Sequence, residues 1–338
     1  MAELIISVVT FNKLEYTKSF LKSLYKNTHC DFKLHIVDNA SDDGTPEYLT
    51  WFAQNTPNVE LTLNSTNLGF GGAHNQVYSK VDSGYLLVIN YDIILTDGVI
   101  DRVLDFAQKN NNYTQIGITN TYRNRSHICT PKAVIDLLTS HSISTEDINS
   151  TLELMSGSSQ QFYKDFVVLD DSFSWISGWF FLLNIDHIKP PLPLMFDPIY
   201  KYGYQEDLDL SLTLREMGKV IGYLPEEFVV HFRSKSFNAA QSRFSHLNKV
   251  NLYRSNLKRL LIKWEHLYRE GFKKAFLTSP PNFTNILIGA DAVFDCRFVT
   301  PSNTALFLNL LEKYSHGEFS NLVELIDIVD PTFFPQME

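Results

Sequence analysis

The chain has 338 residues, enough for one large α/β domain with an appendage and a sizeable buried core. Hydrophobic residues make up 44% and charged residues 20%, which excludes a disordered or fibrous chain. A formal net charge of −9 argues against nucleic acid as a partner, and Cys30, Cys129 and Cys296 are too few and too scattered for a disulfide framework or a cysteine metal site.

The start, MAELIISVVTF, has no charged leader or cleavage pattern, so no signal peptide is expected. No apolar run approaches the roughly 20 residues of a spanning helix. The expectation is a cytoplasmic protein, lying at most against the inner face of a membrane. Leu4–Phe11 is a continuous apolar run that predicts a buried strand. Asn12 is placed to cap a following helix, in which Leu14, Phe20, Leu21, Leu24 and Tyr25 fall roughly on one face. Phe32–Val37 predicts a second strand, ending in the polar loop Asp38–Thr45. A helix is expected over Pro46–Asn55, with Pro46 suited to its first turn, then a third strand over Val59–Asn64.

The next stretch, Asn67–Asn75, holds three glycines in four positions. Such a turn lets backbone approach a ligand closely, and a helix start behind it attracts phosphate. Its spacing is not GxGxxG, so it carries no dinucleotide fingerprint. Gly84–Asp92 (GYLLVINYD) is the central feature: a buried strand whose carboxyl end carries Asn90 and Asp92. Ligands of open α/β sheets bind at that edge, and an Asp there can hold a hard divalent cation against a diphosphate. An Asx turn is the plainer alternative. A helix over Asp97–Lys109 follows, and the strand–helix alternation predicts a parallel, doubly wound sheet.

Tyr122–Asp171 has mixed composition, with helical hints at Lys132–Thr139 and Ile148–Met155, and is taken as an insertion near the site. Ser172–Asn184 predicts an aromatic strand in which Gly178 marks close backbone approach or a bulge. Trp175 and Trp179 are candidates for sugar stacking, with buried core the commoner fate of such residues. The segment Tyr202–Leu210 is the richest carboxylate cluster. Its DLDLSLTL alternation has a strand's period, whereas the acidic start and Gly218 at the end suit a helix with Asp207, Ser211 and Arg215 on one face. Short strands are expected at Val220–Leu224 and Phe228–Phe232, the second reaching His231.

Beyond about residue 238 the pattern turns helical. Tyr253, Leu257, Leu260, Leu261, Trp264, Leu267 and Tyr268 form an apolar stripe. The other side carries Lys249, Arg254, Lys258, Arg259, Lys263 and Arg269, suited to peripheral contact with anionic lipid or an acceptor's pyrophosphate, or to solvent alone. Helices are also expected over Ser302–Tyr314 and Phe319–Val329.

Taken in order, VVTFN (Val8–Asn12), VDNASDDGT (Val37–Thr45), NLGFGGAHN (Asn67–Asn75), LLVINYD (Leu86–Asp92), SGWFFLL (Ser177–Leu183), Phe196-Asp197, YQEDLDLSL (Tyr204–Leu212) and VVHF (Val229–Phe232) resemble the family 2 glycosyltransferases of GT-A fold, in their rhamnosyltransferase-like branch. The resemblance implies a glycosyltransferase domain over residues 1–236, with an insertion at 122–171, followed by a helical region over 237–338. It implies an inverting transfer from a UDP- or dTDP-linked sugar to a saccharide or lipid-linked acceptor, in bacterial surface polysaccharide synthesis. Thr10, Asn12, Asp38 and Asn39 would line the base and ribose, with Asn67, Gly69, Phe70, Asn75 and Asn90 bordering the rest of the donor. Asp92, with His231, would hold Mg²⁺ or Mn²⁺; Asn90 stands where the family's DxD motif has its first carboxylate. Asp207 would be the general base, and Trp175, Gly178 and Glu206 would face sugar or acceptor. The Asn at 90 keeps open a second reading, a non-catalytic module that binds nucleotide or glycan. Oligomeric state is not legible.

Overall fold

In a computed structural model the chain is described for residues 3–120, 167–168, 175–189, 192–232, 249–267 and short stretches between 309 and 324. The expected helices at 132–139 and 148–155 lie outside the described residues, as do all but Val167–Val168 of the insertion and most of the two C-terminal helices.

The first part winds β1 (Leu4–Thr10), α1 (Leu14–Asn27), β2 (Lys33–Asp38), α2 (Thr45–Asn55), β3 (Val59–Leu63), α3 (Gly69–Tyr78) and β4 (Tyr85–Asn90). These four strands run parallel in the order β3-β2-β1-β4. The remainder adds β5 (Ile93–Leu95), α4 (Val99–Lys109), β6 (Tyr113–Asn120), β7 (Val167–Val168), β8 (Phe180–Asn184), α5 (Glu206–Glu216), β9 (Val220–His231) and α6 (Lys249–Lys263). All nine strands form one mixed sheet, in which β8 pairs antiparallel with β4 and β6, and β9 runs parallel to β6 and antiparallel to β5. The fold is α/β, with helices on both faces.

Alternation along the strands feeds two cores. Leu4, Ile6, Val8, Leu87, Ile89, Phe180 and Leu182 point to the α1, α2 and α4 side. Ile5, Leu86, Val88, Phe181 and Leu183 point to the α3 and α5 side. That double burial explains the continuous apolar runs.

Several boundaries differ from expectation, each for a local reason. Asn12 does not cap α1: its side chain accepts from the Asp42 N–H at 2.8 Å, while Asp43 receives the Leu14 N–H at 3.1 Å. The aromatic strand begins only at Phe180; ahead of it Trp175, Ser177, Gly178 and Trp179 line a cavity while Ile176 packs into the core. The two strands expected at 220–232 are one, β9, whose register against β6 shifts near Pro225. Strands β5 and β6 have no counterpart among the expected elements; β5 is only three residues long. The DLDLSLTL segment is helix α5, and Leu208, Leu210, Leu212 and Leu214 are all buried. A helix sandwiched on two sides shows no single apolar stripe, so its period misleads.

Candidate active site

The carboxyl ends of the parallel strands open into a cavity of about 370 Å³. Its wall takes Asn39 from the end of β2, Asn67, Gly69 and Phe70 from the glycine-rich turn, and Asn90 and Asp92 from the end of β4. The second half of the chain supplies Trp175, Ser177, Gly178, Tyr202–Asp207 and His231, and α6 contributes Tyr253. Thr10, Asn12, Asp38 and Asn75 are not on this wall.

Those four residues hold its edges. Asp38 is buried and takes three hydrogen bonds: from Thr10 Oγ1 at 3.0 Å, from Ser41 Oγ at 2.6 Å and from the Ser41 N–H at 2.9 Å. Burial raises its pKa against the pull of those donors. Asn75 bridges to Phe196, donating to its carbonyl at 2.7 Å and accepting its N–H at 3.0 Å. Asn39 is fixed from both ends. Its amide donates to Asn67 Oδ1 at 2.9 Å, and its oxygen accepts from the Leu68 N–H at 2.9 Å and from Asn64 at 3.2 Å.

Asp92 and His231 come together because β5 and β9 pair antiparallel, with Ile93 opposite His231. His231 Nε2 lies 3.2 Å from Asp92 Oδ1 and 3.3 Å from Asn90 Nδ2. The imidazole stacks on Trp179, with centroids 5.6 Å apart at 26°. Trp179 is mostly buried and backs His231, and both it and Trp175 line the cavity. The Asn90 amide donates and the Asp92 carboxylate accepts, so these two neighbours favour opposite tautomers at Nε2, and a cation there would need its lone pair. The two donors, a carboxylate and an imidazole, suit an ion that draws its other ligands from phosphate and water. Among the described residues no group of three His, Cys, Asp or Glu side chains stands ready for a metal. The described lining residues include Asp92, Glu206 and Asp207 but neither lysine nor arginine, so a diphosphate would meet carboxylates without a protein cation. The donor set and the charge both fit a divalent cation at Asp92 and His231.

Asp207 lies in the first turn of α5, where helix N–H groups favour negative charge. One oxygen accepts the Gly178 N–H and the other the Leu208 N–H, both at 2.9 Å. The approach is close: a Cβ at 178 would sit 3.2 Å from the Phe70 ring and 3.5 Å from Asp207 Cβ. Burial raises the Asp207 pKa, opposed by these hydrogen bonds and one from Ser177. Glu206 differs. Its Oε2 is buried with no hydrogen-bond partner, and burial, then the charge of Asp207, push its pKa well up.

The loop ahead of α5 is unusual. Tyr202, Gly203, Tyr204 and Gln205 all have positive φ, at 64°, 145°, 72° and 75°. Non-glycine residues in that region cost about 1–3 kcal/mol each and persist only where surroundings impose them. Gly69 makes room for the loop, since a Cβ there would lie 2.5 Å from Tyr202 Cα, and the Phe70 N–H donates to the Tyr202 carbonyl at 3.2 Å. In the sequence, Tyr202–Gln205 reads only as the lead-in to a carboxylate cluster and Tyr253 only as helix core. No composition signal marks either as cavity wall.

Comparison with known proteins agrees with this architecture. An L-rhamnosyltransferase of Mycobacterium tuberculosis, named for N-acetylglucosaminyl-diphospho-decaprenol, is 32% identical over 115 residues, 31% of this chain and 36% of that protein. An uncharacterised glycosyltransferase of Nostoc is 24% identical over 105 residues, 30% of this chain and 33% of that one. The matched part thus spans about a third of the length of these curated relatives. Among solved structures, a Pyrobaculum calidifontis mannosyltransferase in complex with GDP-mannose and Mn²⁺ superposes with a TM-score of 0.51 at 12% identity, over 98% of this chain and 87% of that one. Residues 1–349 of Staphylococcus aureus TarS give 0.50 at 16% identity, over 98% and 91%. These two likenesses carry the fold alone. The family model described as "Glycosyl transferase family 2" matches residues 5–173, half of the chain and all of the β1–β4 core with its glycine-rich turn and Asp92, and the chain therefore belongs to glycosyl transferase family 2.

Proposed function

We propose that the cavity carries out an inverting transfer of a sugar from a UDP- or dTDP-linked donor to a hydroxyl of a saccharide or lipid-linked saccharide. The observation that carries this reading is that one cavity is lined by two different sets of groups. Asp92 and His231 form a two-donor cation pair, and Asp207 lines the same cavity with a carboxylate held by N–H groups. In a single displacement Asp207 takes the acceptor hydroxyl's proton as that oxygen bonds to the anomeric carbon, and the bond to the diphosphate oxygen breaks with its electron pair. A raised pKa makes Asp207 a stronger base than a free carboxylate. A divalent cation held by Asp92 and His231 supplies neutralisation of the leaving diphosphate. Asn39, Asn67 and Asn90 are assigned to donor contacts, Trp175 and Glu206 to the sugar or acceptor. The Mycobacterium tuberculosis relative's name supports a lipid-linked acceptor. Among the described residues no helix is long and apolar enough to cross a membrane.

The test is a thermal-shift panel of UDP, dTDP and GDP, each with Mn²⁺, Mg²⁺ or EDTA, run on wild type and Asp92→Ala. The expected result is stabilisation by one nucleoside diphosphate, dependent on metal and lost in Asp92→Ala. Equal shifts in EDTA would remove the cation from the reading. In parallel, Asp207→Asn should lower turnover about 10²–10⁴-fold with nucleotide binding intact.

A further inference from the structure

The unusual loop that leads to Asp207 is gripped from the C-terminal helix by one buried side chain. Asn256 of α6 is fully buried, and its Nδ2 lies 3.1 Å from the Lys201 carbonyl, 2.7 Å from that of Gly203 and 3.3 Å from that of Tyr204. Its orientation is set from behind: Arg259 Nη1 donates to Asn256 Oδ1 at 2.7 Å. A guanidinium only donates, so the amide oxygen must face Arg259 and the NH₂ must face the loop. Two of the three carbonyls, those of Gly203 and Tyr204, belong to the run with successive positive φ, and that of Lys201 immediately precedes it; such a conformation is held only by its surroundings. The opposite side of the same loop rests on Gly69 and the Phe70 N–H of the glycine-rich turn. Three residues before Asn256, Tyr253 lies edge-on to Tyr204, with centroids 5.8 Å apart at 73°. Further along α6, Trp264 Nε1 and Lys263 Nζ bind Asp209, on the α5 turn that starts at Asp207, at 2.7 and 2.9 Å.

We propose that Asn256 is a positioning residue: by holding the carbonyls of Lys201, Gly203 and Tyr204 it fixes the loop that aims Asp207 into the cavity. The C-terminal helix is thereby part of the catalytic apparatus although it carries none of the reacting groups. The catalytic half of this inference rests on the proposed role of Asp207; the structural half does not.

The test uses Asn256→Asp in the full chain, which keeps the side chain's volume and replaces the donating amide by an acceptor facing three carbonyls. Leu257→Ala, the neighbouring buried residue of the same helix, controls for loss of stability alone. Backbone hydrogen–deuterium exchange over residues 202–208 needs no activity, and in Asn256→Asp it should quicken by about tenfold or more, with β4 unchanged. Release of nucleoside diphosphate is then followed with Mn²⁺ and UDP-glucose, UDP-N-acetylglucosamine or dTDP-rhamnose. In Asn256→Asp kcat should fall about 10–100-fold, while the nucleotide's Kd stays within about twofold. Leu257→Ala should lose melting temperature and keep its kcat. Unchanged exchange at 202–208 overturns the clamp whatever the enzyme does, and a kcat loss in Leu257→Ala equal to that of Asn256→Asp reduces Asn256 to a fold-stabilising residue. Wild-type turnover retained in Asp207→Asn would instead refute the base assignment and leave the exchange result standing.

Discussion

Glu206 and Asp207 are neighbours of the same chemistry in opposite surroundings. Asp207 collects two backbone N–H groups, whereas Glu206 is buried beside Asp207, Asp209 and Tyr204 with an oxygen that has no hydrogen-bond partner. In the unfolded chain Glu206 titrates near its ordinary 4.5, and in the fold it keeps its proton to higher pH. Its contribution to stability is therefore complete below that ordinary value and is lost as pH rises through the folded one. Glu206→Gln stays neutral throughout, so its melting temperature should exceed wild type by a few degrees near about pH 8 and converge with it near about pH 4. A constant offset over that range would refute the raised pKa. From the sequence, the two carboxylates were legible as an acidic cluster that suited a helix start, against a strand-like period in the residues that follow. Which one is solvated by N–H groups was not, because the Gly178 N–H arrives from 29 residues away.

At the scale of elements, the β1–β4 half was legible because β1 and β4 are largely apolar runs, and each of the four strands is followed at once by turn chemistry. The second half was not. Strand β5 is too short to show a period, β8 starts late in an aromatic run, and α5 hides its helical face by burying leucines on two sides. The turn at Gly69 shows how two elements constrain each other. Its φ of +75° already disfavours a side chain, and a Cβ would meet the Tyr202 backbone, which cannot swing aside. Gly218 provides the comparison: it has φ +70°, and a methyl added there would meet nothing within 4 Å. Gly218→Ala should cost about 1 kcal/mol from the backbone alone. Gly69→Ala should cost more, about 1–3 kcal/mol beyond that, and should also weaken nucleotide binding by displacing the 202–205 loop. Urea denaturation measures the first effect; equal losses in the two variants would show that Tyr202 yields freely.

For the molecule as a whole, two of the basic residues of α6 are engaged within the fold. Lys263 is held by Asp197 and Asp209, and Arg259 by Asn256. Among the described residues, the cavity beneath is lined by three carboxylates without a lysine or arginine, in a chain of net charge −9. Each added phosphate should therefore weaken nucleotide binding in EDTA and strengthen it with Mn²⁺, so that uridine, UMP and UDP reverse their order of affinity in titration calorimetry. The same order in both conditions would mean that phosphate is held by something other than a bound cation. The sequence motifs indicated which residues flank the site. They carried no sign that a helix beyond residue 249 closes it, since a buried Asn in an apolar stripe looks like an ordinary interruption.

The cation pair also has a history in time. Asp92 follows the fourth strand to be made, and its partner His231 sits at the end of the ninth. A chain emerging from the ribosome can close β1–β4 through short crossovers, whereas the β5–β9 ladder must wait for everything between them. On the proposed reading, until that ladder zips the nascent protein has only half of its ion site, and the loop before Asp207 waits still longer for α6. A chain halted midway in synthesis would then hold the β1–β4 sheet without the groups proposed to act on a donor.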